Sequence, residues 1–210
     1  MPTNPYTVVL DFEERIAEWA GAPYAIAVES GTAAIFLSLM FRRATQGSIG
    51  SVAIPTHTYP SVPCSILHAG GTVQWTSAPW QGIYTLVPLN IIDGALRFRP
   101  QMYEIPGSLH CLSFHIKKLL PIGRGGMVLT DDPSARDWLR KARFDGRDPL
   151  PLQQDNFTML GWNMYMEPSQ AARGIQLLEI IRRQSSFPDL SVESQGYPDL
   201  SQYKVYNVGY

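Results

Sequence analysis

The sequence predicts an α/β fold with a largely parallel sheet. Short apolar or β-prone runs alternate along the chain with longer amphipathic segments, and Gly, Pro or polar residues separate them. Such alternation is typical of a sheet whose functional groups gather at the carboxyl ends of its strands. The 210 residues, 45% hydrophobic and 17% charged, fit an ordinary globular protein with one sizeable core.

The elements follow from local spacing, taken in chain order. The run LDFEERIAEWAG has apolar side chains near helical spacing and ends in Gly, which predicts a helix. A β-rich run, YAIAVES, leads into TAAIFLSLMFRR, a buried helix whose final arginines oppose the dipole at its C-terminus. Further strands are predicted in SVAIP, GTVQWT, LNIID, HCLSFH and GMVLTDD, and further helices in PSARDWLRKARF and EPSQAARGIQLLEIIRRQ.

The residues after Gln184 have a different character. They are rich in turn-forming residues, with one possible strand in YKVYNV. We interpret them as a small appendage or a dimer arm.

Composition excludes several classes of partner. The formal charge of −1 and the lack of a long Lys/Arg run argue against nucleic acid and against an anionic membrane surface. No apolar run approaches the roughly 18–20 residues that span a bilayer, and Met1–Leu10 does not resemble a leader, so we expect a cytoplasmic protein. Cys64 and Cys111 form no disulfide framework and share no zinc spacing with the histidines, so we expect them reduced and expect no metal site.

Two candidate groups lie at predicted strand ends. The segment ESGTAA runs into a helix N-terminus, where backbone N–H groups and the hydroxyl of Thr32 could hold a phosphate, although a simple helix cap explains the same residues. Asp93 ends the run LNII, where its carboxylate has little room for water and needs a cationic or donor partner. A turn cap is the alternative for Asp93.

A third candidate lies in the stretch LSFHIKKLLPIGRGG. Ser113 and His115 are two apart on a predicted strand and therefore lie on the same face, so both side chains can line one pocket. Lys117 and Lys118 follow directly. A core or rim histidine and a solvated pair of lysines are the alternative interpretations, and spacing alone leaves the choice between the two lysines open.

Together these groups match the chemistry of pyridoxal 5'-phosphate. That cofactor needs an anchored phosphate, an acid to keep its ring nitrogen protonated and a lysine to hold its aldehyde. The order of the motifs FEERIAEWAGAPYAIAVESGTAAIFLSL, IPTHTYPSV, IIDGAL, SFHIKKLLPIGRGGMVLTDD and GWNMYMEPSQAARGIQL resembles the DegT/StrS-type aminotransferases of fold type I, which act on nucleotide-linked keto sugars.

The resemblance assigns roles to individual residues. The family pattern Ser-Phe-His, two variable residues, Lys and then Gly-x-Gly-Gly selects Lys118 as the lysine of the Schiff base. Asp93 corresponds to the partner of the pyridine nitrogen, and Tyr59 to the aromatic ring over the cofactor face. The remaining correspondences are Thr32, Ala33 and Ser113 as phosphate ligands, His115 as a histidine near the cofactor, and Asn163 as the residue that reaches the phosphate of the neighbouring subunit in a homodimer.

The chain also departs from the family pattern. It lacks length between GGTVQW and IIDGAL and lacks most of the small C-terminal domain, so we expect a shortened large domain in residues 1–184 and a vestigial segment in residues 185–210. Leu96, Arg124 and Tyr165 stand where the family has Gln or His, an acidic residue and Arg, which bears on the substrate.

The resemblance predicts an aminotransferase that moves an amino group, with glutamate as the expected donor, to a keto or aldehyde carbon of a nucleotide sugar. One alternative is a pyridoxal-phosphate enzyme with a non-sugar acceptor, or a dehydratase, although Lys118 opposes the dehydratase because that lineage is expected to carry His there. Another is a degenerate, non-catalytic binding protein. The joint retention of Lys118, Asp93, Ser113 and Asn163 argues against it.

Overall fold

The structure, a computed structural model, describes residues 4–207. Helices and strands alternate along most of the chain, as the sequence predicts. The helices are α1 (Thr7–Ala20), α2 (Gly31–Gln46), α3 (Ser61–His68), α4 (Pro133–Ala142), α5 (Pro168–Ile181) and α6 (Val192–Gln195). The strands are β1 (Tyr24–Val28), β2 (Ser51–Pro55), β3 (Thr72–Thr76), β4 (Tyr84–Leu86), β5 (Ile91–Asp93), β6 (Leu109–Ser113) and β7 (Gly126–Thr130).

The predicted α/β class is confirmed, but the sheet is mixed rather than mainly parallel. Its main part has the order β1-β7-β6-β5-β4, and β2 pairs with β3 in a second, parallel sheet. Within the main part β5 and β6 are parallel, while β1–β7, β6–β7 and β4–β5 are antiparallel. Neighbouring parallel strands need a long crossover between them, usually a helix. The connections from β4 to β5 and from β6 to β7 contain no helix, so these strands pair in the antiparallel direction.

Strand direction determines where the functional groups meet. The pairings make β1, β5 and β6 run in one direction and β4 and β7 in the other, and an antiparallel bridge just beyond β4 gives β2 the direction of β5. Val28, Pro55, Asp93 and Ser113 therefore end their strands at one edge of the molecule. A site at the carboxyl ends of strands is the arrangement expected of an α/β fold.

Two apolar clusters cover the faces of the sheet. The side chains of α2 and α4 pack on one face, around Leu37 and Leu139. Those of α1 and α5 pack on the other, around Phe12 and Leu178. Dense packing on both faces therefore fixes the position of the sheet, and with it the positions of the strand ends.

Two elements of the structure were not predicted from the sequence, and one predicted strand is wrong. Helix α3 was not predicted, because Pro63 interrupts the apolar pattern of SVPCSILH. Strand β4 was not predicted, because three residues carry too little alternation to be recognised. The strand expected in YKVYNV is wrong for its described residues: Lys204–Tyr206 form a 3-10 turn, which has no neighbouring strand to pair with, and Val208 lies outside the described residues.

A buried carboxylate joins α1, β1 and α4. Glu13 is only 2% exposed, and its Oε1 accepts a hydrogen bond of 2.9 Å from the amide of Ala27 in β1. Arg140 forms a 3.0 Å ion pair with Oε2, and Arg143 donates to Oε1. This cluster fixes the helix pair against the strand that leads into the turn before α2.

Replacing Glu13 by Gln should destabilise the protein strongly. The change leaves Arg143, whose side chain is largely buried, without its ionised partner, and removing one member of a buried pair costs about 3 kcal/mol or more. Asp11→Asn, which breaks the half-exposed pair of Asp11 with Arg15, is the control and should cost less than about 1 kcal/mol. Urea unfolding measures both, and equal losses would contradict the role given to Glu13.

Candidate active site

A cavity of about 250 Å³ opens at the edge where the strands end. The turn between β1 and α2, the segments after β2, β5 and β6, and the C-terminal segment all contribute to its wall. The predicted site residues in the wall are Thr32, Tyr59, Asp93, Ser113, His115 and Lys118.

The N-terminus of α2 forms one side of the cavity. Ser30 caps the helix, its Oγ accepting a 3.0 Å hydrogen bond from the Ala33 amide. Thr32 is exposed, and its hydroxyl donates to Ser61 Oγ at 2.9 Å. The positive end of the helix dipole and the first-turn amides can hold an anion here.

A close backbone approach brings Ser113 to this helix end. A Cβ added at Gly31 would lie 2.8 Å from the Cβ of Ser113, nearer than two side chains can stand. Glycine at position 31 therefore lets the end of β6 meet the first turn of α2. The Ser113 hydroxyl joins the anion-binding group through this contact.

Asp93 forms the floor of the cavity. It is 4% exposed, its Oδ1 accepts a 3.0 Å hydrogen bond from the Ala95 amide, and its Oδ2 accepts one of 3.0 Å from the Tyr84 hydroxyl. Burial raises the pKa of Asp93, while the amide of Ala95, the hydroxyl of Tyr84 and the charge of Lys118 oppose that rise. The carboxylate is thus buried with its partners already in place.

Lys118 approaches from the loop after β6. Burial lowers the pKa of its amine, and Lys117 lowers it further, while the charge of Asp93 opposes the change. A partly buried lysine with a lowered pKa supplies neutral amine more readily than an exposed one. Lys117, by contrast, is exposed to solvent. Both lysines line the cavity, and the choice of Lys118 stays a prediction, which its greater burial favours.

The C-terminal segment supplies site groups that the sequence analysis missed. Lys118 Nζ donates to Gln195 Oε1 at 3.1 Å and to the Tyr197 hydroxyl at 3.2 Å. The ring of Tyr197 lies edge-on to that of Tyr59, with centroids 6.1 Å apart. No local pattern in the segment marks these residues, because their contacts are far away in sequence.

Two anchors hold this segment over the cavity. Before it, Asp189 pairs with Arg97 at 2.7 Å, and both side chains are largely buried. After it, the amide of Leu200 donates to the carbonyl of Thr56 at 2.9 Å. We call residues 190–199, between these anchors, the strap.

The other predicted residues lie in different places. His115 is exposed at the rim, its Nδ1 3.3 Å from the amide of Lys117. Ala33 is buried and lines a neighbouring open depression instead of the cavity. Asn163 also lies outside the cavity wall, and its amide donates to Asp145 at 3.1 Å. Within one subunit, therefore, the structure does not bring Asn163 to Lys118.

The donor set fits pyridoxal 5'-phosphate. A helix N-terminus beside two hydroxyls suits the phosphate, Asp93 suits a protonated ring nitrogen, and the Lys118 amine suits the aldehyde. The close approach at Gly31 builds the phosphate side of this arrangement from the backbone itself. Among residues 4–207, no cluster of three His, Cys, Asp or Glu side chains could hold a metal ion.

No helix within the described part of the chain has both the length and the apolar content needed to cross a bilayer.

Comparison with known proteins points to one family. The model of the DegT/DnrJ/EryC1/StrS aminotransferase family matches residues 2–77 and 104–187. GDP-perosamine synthase of Caulobacter vibrioides and the spore coat polysaccharide biosynthesis protein SpsC of Bacillus subtilis are each 24% identical, over 81% of this chain and 56% of the relative. The chain thus spans little more than half the length of these relatives.

Solved structures share the fold. The sugar aminotransferase CalS13 from Micromonospora echinospora superposes with a TM-score of 0.69 at 20% identity, over 84% of this chain and 61% of that one. DesV from S. venezuelae, solved in complex with a ketimine intermediate, gives 0.67 at 23% identity, over 83% and 57%. At such identities the likeness speaks for the fold alone.

Proposed function

The chain belongs to the DegT/DnrJ/EryC1/StrS aminotransferase family, and from that premise we propose that it transfers an amino group with pyridoxal 5'-phosphate as its cofactor. The observation that carries the proposal is the meeting of Lys118, Asp93 and the N-terminus of α2 in one cavity. A cap, a turn residue and a solvated lysine would have no reason to share a wall. Their convergence supports a common ligand.

Each group has a task toward that ligand. Thr32, Ser113 and the first turn of α2 bind the phosphate, and Tyr59 covers one face of the ring. Asp93 accepts a hydrogen bond from the protonated ring nitrogen, and the Lys118 amine binds the aldehyde carbon. When bound, the cofactor withdraws electrons from the carbon that gains or loses the amino group.

Lys118 also serves as the acid–base group. With the cofactor bound, the Lys118 amine would be the group placed to accept a proton from the substrate carbon and to give it back. The lowered pKa caused by burial favours the neutral amine needed for the first of these steps. Proton transfer of this kind contributes roughly 10²–10⁴-fold to rate.

Asp93 must stay ionised to do its work, although burial acts against ionisation. The amide of Ala95, the hydroxyl of Tyr84 and the charge of Lys118 all favour the carboxylate. A charge held in a water-poor site by fixed donors stabilises an opposite charge strongly, because nothing has to reorient during the reaction.

For the substrates, we propose a nucleotide-linked keto sugar as acceptor and glutamate as donor. The names of GDP-perosamine synthase and of the sugar aminotransferase CalS13 support the acceptor class. The apolar side chain of Leu96 lines the cavity beside Asp93, and Arg124 at the rim is paired with Glu29 at 2.9 Å. These groups distinguish this cavity from the family pattern and set which acceptors fit. We place the activity in the cytoplasm.

We further propose a homodimer with shared sites. Asn163 lies beside an exposed apolar segment, in which Phe157 is 63% and Leu160 91% exposed. Apolar side chains that stand so far into water favour a covering partner. We propose residues 1–184 as the cofactor-binding domain and 185–210 as an appendage that adds Gln195 and Tyr197 to the cavity wall. The second subunit brings its Asn163 to the phosphate.

The test of the lysine is reductive labelling. Borohydride treatment of the protein loaded with pyridoxal 5'-phosphate should fix a pyridoxyl group on Lys118, as found by peptide mapping. Lys118→Ala should lose the label and lower transamination by about 10²-fold or more, while the control Lys117→Ala should keep both. A label on Lys117 would contradict the assignment, and a colourless parent protein that takes no label would favour the non-catalytic alternative.

The test of the shared site is subunit mixing. An inactive Lys118→Ala chain mixed with an inactive Asn163→Asp chain should recover about a quarter of the parent activity, because half the dimers are mixed and each has one intact site. Asn156→Asp, in an exposed position of the same segment, is the matched control and should be active alone. No recovery despite proven exchange, or a cofactor-loaded monomer in light scattering, would rule the model out.

A further inference from the structure

Two hydroxyl groups stand behind Asp93, outside the cavity wall. Tyr84 comes from β4 and Thr58 from the segment after β2, and both are buried. The Tyr84 hydroxyl lies 3.0 Å from Asp93 Oδ2 and 2.6 Å from Thr58 Oγ1. The three side chains form one chain of hydrogen bonds that ends on the carboxylate.

Proton counting fixes the direction of this chain. An ionised Asp93 can only accept, so the single hydroxyl proton of Tyr84 must be donated to it. The oxygen of Tyr84 is then free only to accept, so Thr58 must donate to Tyr84. Both bonds therefore point toward the carboxylate, and each strengthens the other because all three side chains are buried.

The surroundings of Asp93 leave few other groups to hold its charge. Lys118 faces it from the loop after β6, where a charge on the amine lowers the pKa of Asp93, and the Ala95 amide binds the other carboxylate oxygen. Cys111 in β6 also faces it, but burial raises the pKa of that thiol to about 12, so it is neutral. Burial likewise raises the pKa of Tyr197, which faces it from the strap.

We propose that Tyr84 and Thr58 are positioning residues, which keep Asp93 ionised and hold the carboxylate at a fixed orientation toward the cavity; the inference rests on the proposed function of Asp93. Tyr84 lies between the two stretches that the family model matches, residues 2–77 and 104–187. Tyr84 therefore lies in the part of this chain that the family model does not match, whereas Thr58 lies within the first matched stretch.

A tyrosine suits position 84 because its hydroxyl is carried by a packed ring. Its ring packs against Trp80, with centroids 4.6 Å apart, so the hydroxyl is carried by a side chain that is itself held. A hydroxyl donor held in this way selects one orientation of the carboxyl plane, and the Ala95 amide selects the same one. Substitution of the hydroxyl alone should leave the packing in place.

The experiment follows the ionisation of Asp93 in the full chain without added cofactor. Infrared difference spectra report the protonated carboxyl band, which is assigned to Asp93 by its loss in Asp93→Asn. Tyr84→Phe removes a donor that lowers the pKa of Asp93, so the carboxyl should become protonated at a pH about one to two units higher. Thr58→Val should shift it in the same direction by less, and Thr58→Ser should restore the parent value.

Tyr103→Phe is the matched control. The Tyr103 hydroxyl donates to Asp131 at 3.0 Å, outside the cavity wall, so its loss should leave the titration of Asp93 unchanged. In the loaded enzyme, the acid limb of the pH profile for transamination should move upward for Tyr84→Phe and stay in place for Tyr103→Phe.

An unchanged Asp93 titration in Tyr84→Phe, with the fold verified by circular dichroism, would overturn the proposal. If that variant fails to fold, Thr58→Val decides, and an unshifted titration there overturns it equally. Failure of the proposed function has a separate signature, because a parent protein that takes no pyridoxyl label can still show the infrared shift. The two conclusions can therefore fail independently.

Discussion

The burial of a single carboxylate, that of Asp93, is the constraint on which the site depends. A carboxyl group at 4% exposure has lost nearly all its contact with water, so its charged form must be stabilised by donors and a cation. The chain supplies these from three places in the sequence: Tyr84 from β4, the Ala95 amide directly after β5, and Lys118 after β6. Strand β5 can end in a carboxylate because its two neighbours bring these groups alongside.

The antiparallel edge strand has a role in this arrangement. Because β4 runs against β5, its residue Tyr84 pairs with Asp93 in the register of the sheet. A strand in the parallel direction would reach this edge with its last residue instead of its first. The departure from a mainly parallel sheet thus places the hydroxyl beside the carboxylate.

The parts that could be predicted from sequence are those set by near neighbours. Helices such as α1 and α2 follow from periodicity within a dozen residues, and the turn into α2 follows from Ser30 and Gly31. The meeting of Asp93 with Ser113 was also accessible, because the ends of parallel strands share an edge. The choice of Lys118 over Lys117 came from the family motif, since the end of a strand cannot be located to one residue from spacing.

The parts that could not be predicted depend on contacts between distant residues. Tyr84 and Tyr197 sit in segments without periodicity, and nothing beside them in sequence tells which groups they meet. Gly126 is a similar case: a Cβ there would lie 2.3 Å from the Ser30 carbonyl oxygen. The sequence motif marks this glycine, but only the fold explains it as the space through which two backbones pass.

The strap has a consequence for how tightly this cavity can bind anything. Its ends are held by Asp189 with Arg97 and by Leu200 with Thr56, and the Tyr197 carbonyl lies 3.0 Å from His57 Nδ1. The Tyr197 hydroxyl, 3.2 Å from Lys118 Nζ, is thus an internal competitor for the lysine amine. An incoming molecule must first displace it. Its measured affinity will therefore understate the strength of its own contacts with the cavity.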